Sequence, residues 1–187
     1  MKIQEIIETK ILRSVKHAIS HDEARYVLTG INVRNLNGFM TFTATNGRYL
    51  ISIQGPSVGD NDFNVIIPVV VPAGAKVMME IDTDSKTISY FSPRKVTYEL
   101  IDGTYPDFLS VIPKQEAALD AALINVSHLE TFIKAAKAYK SDAGLFLSPQ
   151  KRDANIIALH DCPEWFGLIM PMTGMTKIEI PAWLKTA

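Results

Sequence analysis

The chain is 187 residues long with 47% hydrophobic residues, so it can bury a core as one domain or two small ones without a disulfide or metal staple. Its 19 Lys and Arg against 20 Asp and Glu give a formal net charge of -1, which excludes nucleic-acid binding through an overall basic surface and leaves only a local patch. Cys162 is the single cysteine, which excludes an intramolecular disulfide framework and fits a reducing compartment.

The apolar run over residues 65–71 is broken by Pro68 and falls far short of a membrane span, and Glu5 and Glu8 interrupt what a signal peptide would need as a continuous apolar stretch. A cytoplasmic protein with no membrane partner is expected. Ile3, Ile6, Ile7 and Ile11 recur at helical spacing, with Glu5, Glu8 and Thr9 elsewhere on the wheel, and predict a short amphipathic helix over residues 4–14. From residue 25 to 53 the period changes to two, broken by Asn37-Gly38 and Asn46-Gly47, dipeptides that supply positive φ for type I′ hairpin turns. Three antiparallel strands in a meander are predicted there.

Residues 55–62, rich in Gly, Pro, Ser and Asp, read as a loop or linker before an apolar strand over 63–71. Beyond Pro72-Ala73-Gly74, residues 76–81, 87–91 and 96–101 alternate again, separated by Asp82-Thr83-Asp84-Ser85 and by Ser92-Pro93. That is a second meander without a helix. Residues 122–126 predict a strand, and Ser127-His128-Leu129-Glu130 is an S-x-x-E capping box opening a helix over 128–140. Strand-like runs follow at 145–147, 155–160 and 165–170. The order strand, helix, three strands recurs in degraded form, the first unit lacking an opening strand and the second its helix. The expected fold class is α+β, with antiparallel β-sheets built from these repeated units and two main helices on one face.

Three collinear segments carry a resemblance to a known family. Arg25-Tyr26-Val27-Leu28-Thr29-Gly30 with Ala44-Thr45-Asn46-Gly47-Arg48-Tyr49-Leu50 is similar to an RYYLNG strand followed by an ATDGHRL hairpin. Asp102-Gly103-Thr104-Tyr105-Pro106-Asp107-Phe108, continuing to Val111-Ile112-Pro113, is close to a DGRFPDY...VLP segment. Met170-Pro171-Met172 is similar to a terminal VMPM. The family is the bacterial DNA sliding clamp, the DNA polymerase III beta subunit, and the resemblance implies a DNA-clamp-like fold. Residues 1–113 resemble its middle domain with the second helix missing. Residues 114–187 resemble part of its last domain, from Ile124-Asn125-Val126-Ser127, with a C-terminal extension, and the two parts are expected to pack as one unit.

The chain also departs from the family: it has about half the expected length, as a phage or mobile-element copy would, and lacks a counterpart of the first domain. In the extension, Lys177-Ile178-Glu179-Ile180-Pro181 reads as an added strand, which would replace the one missing before the first helix in a circular permutation.

The resemblance implies a hydrophobic cleft for short linear peptides from polymerases and other clamp-binding proteins, lined by Leu28, Thr45, Gly47, Arg48, Leu50, Pro106, Val111, Leu168, Met170, Pro171 and Met172. Apolar walls and adaptable Met side chains suit such a site, while the competing reading makes Leu28, Leu50, Leu168 and Met170 plain core. Ser110 stands where the family often has an arginine. The resemblance also implies sequence-independent contact with duplex DNA through Lys10, Arg13, Lys134, Lys137 and Lys140 on the two helices and through Arg25 and Tyr26, against the alternative that these groups only solvate the surface.

Two functions stay open on these grounds. One is a DNA-binding processivity or partner-recruitment protein forming a homo-oligomeric ring, of about four chains if a ring of about twelve units is kept. The other is a monomeric adaptor or competitor that binds clamp-binding peptides without encircling DNA. Catalysis is not expected. His17, His21, His128 and His160 follow no ligand spacing, the pairs Asp60/Asp62 and Asp82/Asp84 lie in turn-rich stretches, and neither a metal nor a cofactor is implied.

Overall fold

A computed structural model of the chain describes residues 1–113, 123–150 and 154–172. It begins with a strand, β1 (Lys2–Glu8), and only then turns into a helix, α1 (Thr9–Val15). The helix predicted over 4–14 is therefore wrong for its first half, and the first unit does have its opening strand. The reason lies in the spacing: Ile3 and Ile7 are four apart, an interval that serves a helix face and, being even, one face of a strand equally well. An available edge decides the matter, because β6 (Lys76–Asp82) pairs antiparallel with β1 in the register Ile3↔Ile81 and Ile7↔Val77. Ile3 and Ile7 are buried while Ile6 points out, as alternation requires. The circular permutation loses its motive, and the strand proposed over 177–181 lies outside the described residues.

The meander follows as β2 (Ile31–Leu36), β3 (Phe39–Thr45) and β4 (Tyr49–Ser57). At the first hairpin Asn37 and Gly38 both take positive φ, 53° and 84°, the type I′ pair. The second turn differs, because only Gly47 is left-handed, at 86°. Residues 25–29 are not strand: Glu23–Thr29 forms 3-10 turns, started by Asp22, whose carboxylate accepts from the Ala24 N–H at 3.1 Å. The expected strand over 63–71 shortens to β5 (Asn64–Ile67), and β7 (Thr87–Phe91) and β8 (Lys95–Glu99) complete the second meander.

No strand precedes the second helix at residues 123–125, and α2 runs Val126–Tyr139. Its cap is Asn125, whose Oδ1 accepts from the Ser127 N–H at 2.9 Å, so Ser127 is inside the helix and the expected capping box is displaced. The strands that follow among the described residues are β9 (Leu145–Ser148), β10 (Asn155–Leu159) and β11 (Cys162–Ile169).

The protein is thus α+β, and among the described residues all strand pairs are antiparallel. Among the described residues one sheet has four strands in the order β1-β6-β7-β8, and the other has seven, β5-β2-β3-β4-β11-β10-β9. The seam of the larger sheet is β4 against β11, which joins residues far apart in sequence through Leu50↔Leu168, Ile51↔Gly167 and Ile53↔Trp165. Alternation across this seam sends Ile51, Ile53, Trp165 and Ile169 to one face, where they share a core with α1, α2 and the inner face of the smaller sheet. The two helices pack on each other, and the Trp165 indole N–H donates to Ser14 Oγ at 2.9 Å, fastening α1 to β11. Gly167 is needed for closeness: a Cβ there would stand 2.5 Å from Phe132 Cε1 of α2. Leu50 and Leu168 go to the opposite face, into a separate small cluster with Phe108 and Ala154. Among the described residues no helix is long and apolar enough to cross a membrane.

Candidate functional site

On the face of the seven-stranded sheet away from the helices lies a groove of about 230 Å³. Its floor is the seam pair Leu50 and Leu168, 4% and 2% exposed, and its mouth carries Val111 and Met170, 53% and 48% exposed. Leu28, Thr45, Gly47, Arg48 and Pro106 complete the expected residues that line it. Pro171 and Met172 lie just beyond: Pro171 is half-buried, and Met172, exposed, donates its N–H to Leu123 O at 2.9 Å. Tyr49, Asp107, Phe108 and Ala154 also line the groove and were not singled out by sequence. Phe108 was within reach, since it closes the same segment as Pro106, whereas nothing in the sequence marks Ala154.

Local chemistry explains how four separated segments meet. The turn after β3 is held by its own side chains: Asn46 Oδ1 accepts from the Arg48 and Tyr49 N–H groups at 2.9 and 3.2 Å, and Thr45 Oγ1 donates to Tyr49 O at 2.7 Å. Arg48 O then accepts from the Met170 N–H at 2.9 Å, tying the end of β11 to that turn. Tyr105 is buried, and its phenol oxygen accepts from the Thr45 N–H at 3.0 Å, which anchors the 102–108 segment over the sheet. Burial pushes the Tyr105 phenol above its ordinary range, against the opposing pull of the Thr45 N–H.

Asp107 starts a 3-10 turn over Phe108–Val111 by accepting from the Leu109 N–H at 3.2 Å, which lays Phe108 over Leu50 and Leu168. The Arg34 guanidinium stacks on the Phe108 ring at 4.5 Å. Ser110 is exposed, spends its hydroxyl on Asp107 O at 2.8 Å and is not among the residues that line the groove. His128 packs edge-on against Tyr49, with ring centroids 5.2 Å apart, and desolvation followed by the nearby Arg48 charge lowers its pKa.

The sequence model of the family described as DNA polymerase III beta subunit, central domain, matches residues 3–107. The chain belongs to that family. Among curated relatives, the beta sliding clamp of Rickettsia bellii is 30% identical over 126 residues, 58% of this chain and 32% of the relative. That of Borreliella burgdorferi is 26% identical over 115 residues, 57% of this chain and 30% of the relative. The chain therefore spans about a third of the length of the beta sliding clamps it matches.

Among solved structures, DNA polymerase III subunit beta from Borrelia burgdorferi in complex with a natural product superposes with a TM-score of 0.75 at 14% identity, covering 92% of this chain and 63% of that one. The Pseudomonas aeruginosa sliding clamp bound to griselimycin gives 0.71 at 15%, covering 91% and 65%. These likenesses establish a clamp fold. They cover too much of the chain to be confined to residues 3–107, so the fold of this beta-subunit family member continues past its recognisable sequence.

The cations expected to meet DNA are differently placed. Lys10 sits 2.6 Å from Glu8 and 4.6 Å above the Tyr139 ring, and Arg13 donates to Gly74 O at 3.1 Å. Lys134 pairs with Glu130 at 2.8 Å on α2, and the His17 pKa is lowered by burial first, then by Lys16 and by Lys134. Lys137 is exposed and Lys140 half-buried, and neither forms an ion pair among the described residues. Arg25 is held by Asp22 at 2.9 Å and by Asn46 O at 3.1 Å, so it braces the groove turn, with Tyr26 exposed beside it. Lys10 and Arg13 lie on α1 and Lys134 on α2, helices that pack on each other, while Arg25 lies with the groove turn. Among the described residues no three His, Cys, Asp or Glu side chains are placed to share a metal ion.

Proposed function

We propose that the chain is a clamp-type partner-recruitment protein that takes short apolar peptide segments into the groove over the β4–β11 seam. The observation that carries this is the convergence of Leu28, the Thr45–Leu50 turn, Pro106 to Val111 and Leu168 to Met170 on one cavity with an apolar floor and a methionine at its mouth. A linear peptide needs such a site: a concave apolar surface, few polar anchors and a flexible side chain that adapts to varied ligands. In this reading residues 1–113 are a middle-domain-like part and 114–187 a partial last-domain-like part, packed as one unit along the seam. It requires no reaction and no cofactor.

The test is titration of a labelled peptide carrying a QLxLF-like motif, read by fluorescence anisotropy. Binding in the micromolar range is expected, about -8 kcal/mol. Met170→Ala combined with Leu50→Ala is expected to weaken it by about tenfold or more, since each removes apolar contact area. Circular dichroism on the double variant, with Met170→Ala alone as the milder case, separates a weakened site from an unfolded chain. Unchanged affinity in both refutes the groove.

The wider clamp role, sequence-independent binding of duplex DNA during processive synthesis, belongs to the same proposal and is supported by family membership and by Lys10, Arg13, Lys134, Lys137 and Lys140 on the packed helices. The adaptor reading is favoured by a specific observation, that Lys10 and Lys134 are already paired with Glu8 and Glu130. The two readings divide on topology. A ring stays on closed circular DNA and leaves after linearisation, whereas an adaptor does neither.

A further inference from the structure

The concave surface does not end at Phe108. Next to the groove the same sheet face carries a second hollow of about 350 Å³, and Phe108 lines both. The seam register explains the continuation. Leu50↔Leu168 floors the groove, and two residues along each strand Ser52↔Phe166 lines the hollow, because alternate positions share a face. Two residues further on, Gln54 and Glu164 line the hollow as well. Each step is about 7 Å, the distance between side chains i and i+2 of an extended peptide.

The 3-10 turn over Phe108–Val111 serves both sites. With three residues per turn, positions three apart share a side: Phe108 and Val111 line the groove, while Leu109 and Ile112 line the hollow. Leu109 is 38% exposed, Ile112 37%, and Phe39, at the start of β3 and also lining the hollow, 40%. Apolar side chains exposed singly need no explanation, but three around one concavity mark a contact surface. Glu164 is the one charged side chain that lines the hollow among the described residues. Its Oε1 accepts from the Tyr139 hydroxyl at 2.7 Å, and it has no ion-pair partner among those residues. Arg34, stacked on the Phe108 ring, is not among the lining residues.

The geometry points to a second subsite for the same peptide. A ligand whose apolar motif fills the groove continues past Phe108, sets an aromatic or large aliphatic side chain among Phe39, Leu109 and Ile112, and brings a lysine or arginine to Glu164. The partner is therefore a linear segment longer than the groove alone can read, with a basic residue two positions beyond its outer apolar anchor. Because the two sites are continuous, the second anchor adds apolar burial without a second loss of translational freedom. This inference rests on the groove reading and adds to it the length and charge of the ligand.

The test compares three labelled peptides by fluorescence anisotropy: the QLxLF-like peptide, the same peptide extended by Gly-Phe-Gly-Lys at its C-terminal end, and the same peptide extended by Lys-Gly-Phe-Gly at its N-terminal end. One extended peptide is expected to bind about tenfold tighter than the parent. Phe39→Ala with Ile112→Ala is expected to erase that gain and leave the parent's affinity unchanged, with circular dichroism to verify folding. Glu164→Gln keeps an acceptor for the Tyr139 hydroxyl and removes the charge. It is expected to weaken the extended peptide by about threefold, and to spare a version carrying Gln in place of Lys. Extended peptides that bind no tighter than a parent that does bind overturn this inference and leave the groove standing. A gain indifferent to both sets of substitutions overturns it too, because it arises elsewhere. So does a chain whose sedimentation changes from dimer to monomer with Phe39→Ala and Ile112→Ala, since a second copy then fills the hollow. If none of the three peptides binds, the groove reading is refuted and this inference falls with it.

Discussion

The groove and the paired helices occupy opposite faces of the same seven-stranded sheet, and they differ in what they leave unsatisfied. On the groove side, apolar carbon at Val111 and Met170 stands exposed above a dry floor, and the polar groups nearby are consumed in holding the turns. On the helix side the position is reversed. Most apolar groups are buried, Val126 and Ile133 of α2 excepted, and Lys10, Arg13 and Lys134 have taken partners within the chain. An exposed apolar surface in a concave site suits the binding proposed for it, whereas a lysine with an internal partner must give that partner up before it can meet a phosphate.

The sharpest way to break this contrast is to empty the groove floor. Leu168→Ala removes a side chain that is 2% exposed and packed on Leu50 and Phe108, and is expected to cost about 2–5 kcal/mol in denaturant unfolding, with weaker peptide binding. A loss below about 1 kcal/mol would mean the floor is loosely packed and the cluster is no rigid platform. Next, Tyr105→Phe leaves the Thr45 N–H without its acceptor and is expected to cost about 1–3 kcal/mol, measured the same way.

On the helix face the expected changes in stability are smaller. Lys137→Glu with Lys140→Glu is expected to shift unfolding by no more than about 0.5 kcal/mol. If this face meets DNA, the same pair lowers the slope of log affinity against log salt by about 0.9 for each phosphate no longer neutralised. Unchanged DNA affinity would assign those lysines to solvation alone. The smallest effect concerns pH. His17 and His128 both have pKa values held below 6.5 in the folded chain, by burial first and then by Lys16 and Lys134 for His17 and by Arg48 for His128. The unfolded chain therefore takes up protons first as pH falls below 6.5, and stability from these groups declines through that window. Replacing both with Gln is expected to flatten the decline, read as thermal midpoint against pH.

Much of the fold was legible because strand pairing leaves period-two patterns and hairpins need particular residues. Asn37-Gly38 specified its turn outright, and β6 and β7 fell where alternation put them, while β8 ends at Glu99, two residues short of the expected 101. β1 was misread because Ile3 and Ile7 satisfy two periods at once, and only the partner strand 74 residues away, in the register Glu5↔Met79, selects between them. The capping residue of α2 was misplaced by two positions because Asn125 and Ser127 both offer the right oxygen. In the groove, most lining residues follow from motif segments that carry their own turn chemistry. Ala154 did not, since its place depends on how β10 lies against β11, a long-range outcome without a local sign. Ion pairing was least legible: charge can be counted along a chain, but whether Lys10 meets Glu8 depends on the strand-to-helix corner between them.

The seam has a consequence for the order of events during synthesis. β4 is complete at Ser57, but its partner β11 begins only at Cys162, and the groove floor needs one leucine from each. A growing chain exposes the first half of the floor, with an open strand edge beside it, until more than a hundred further residues have been made. Non-local closure of this kind is slow and leaves partly made chains prone to association. In the proposed reading, competence to bind a peptide is thereby withheld until β11 has been made.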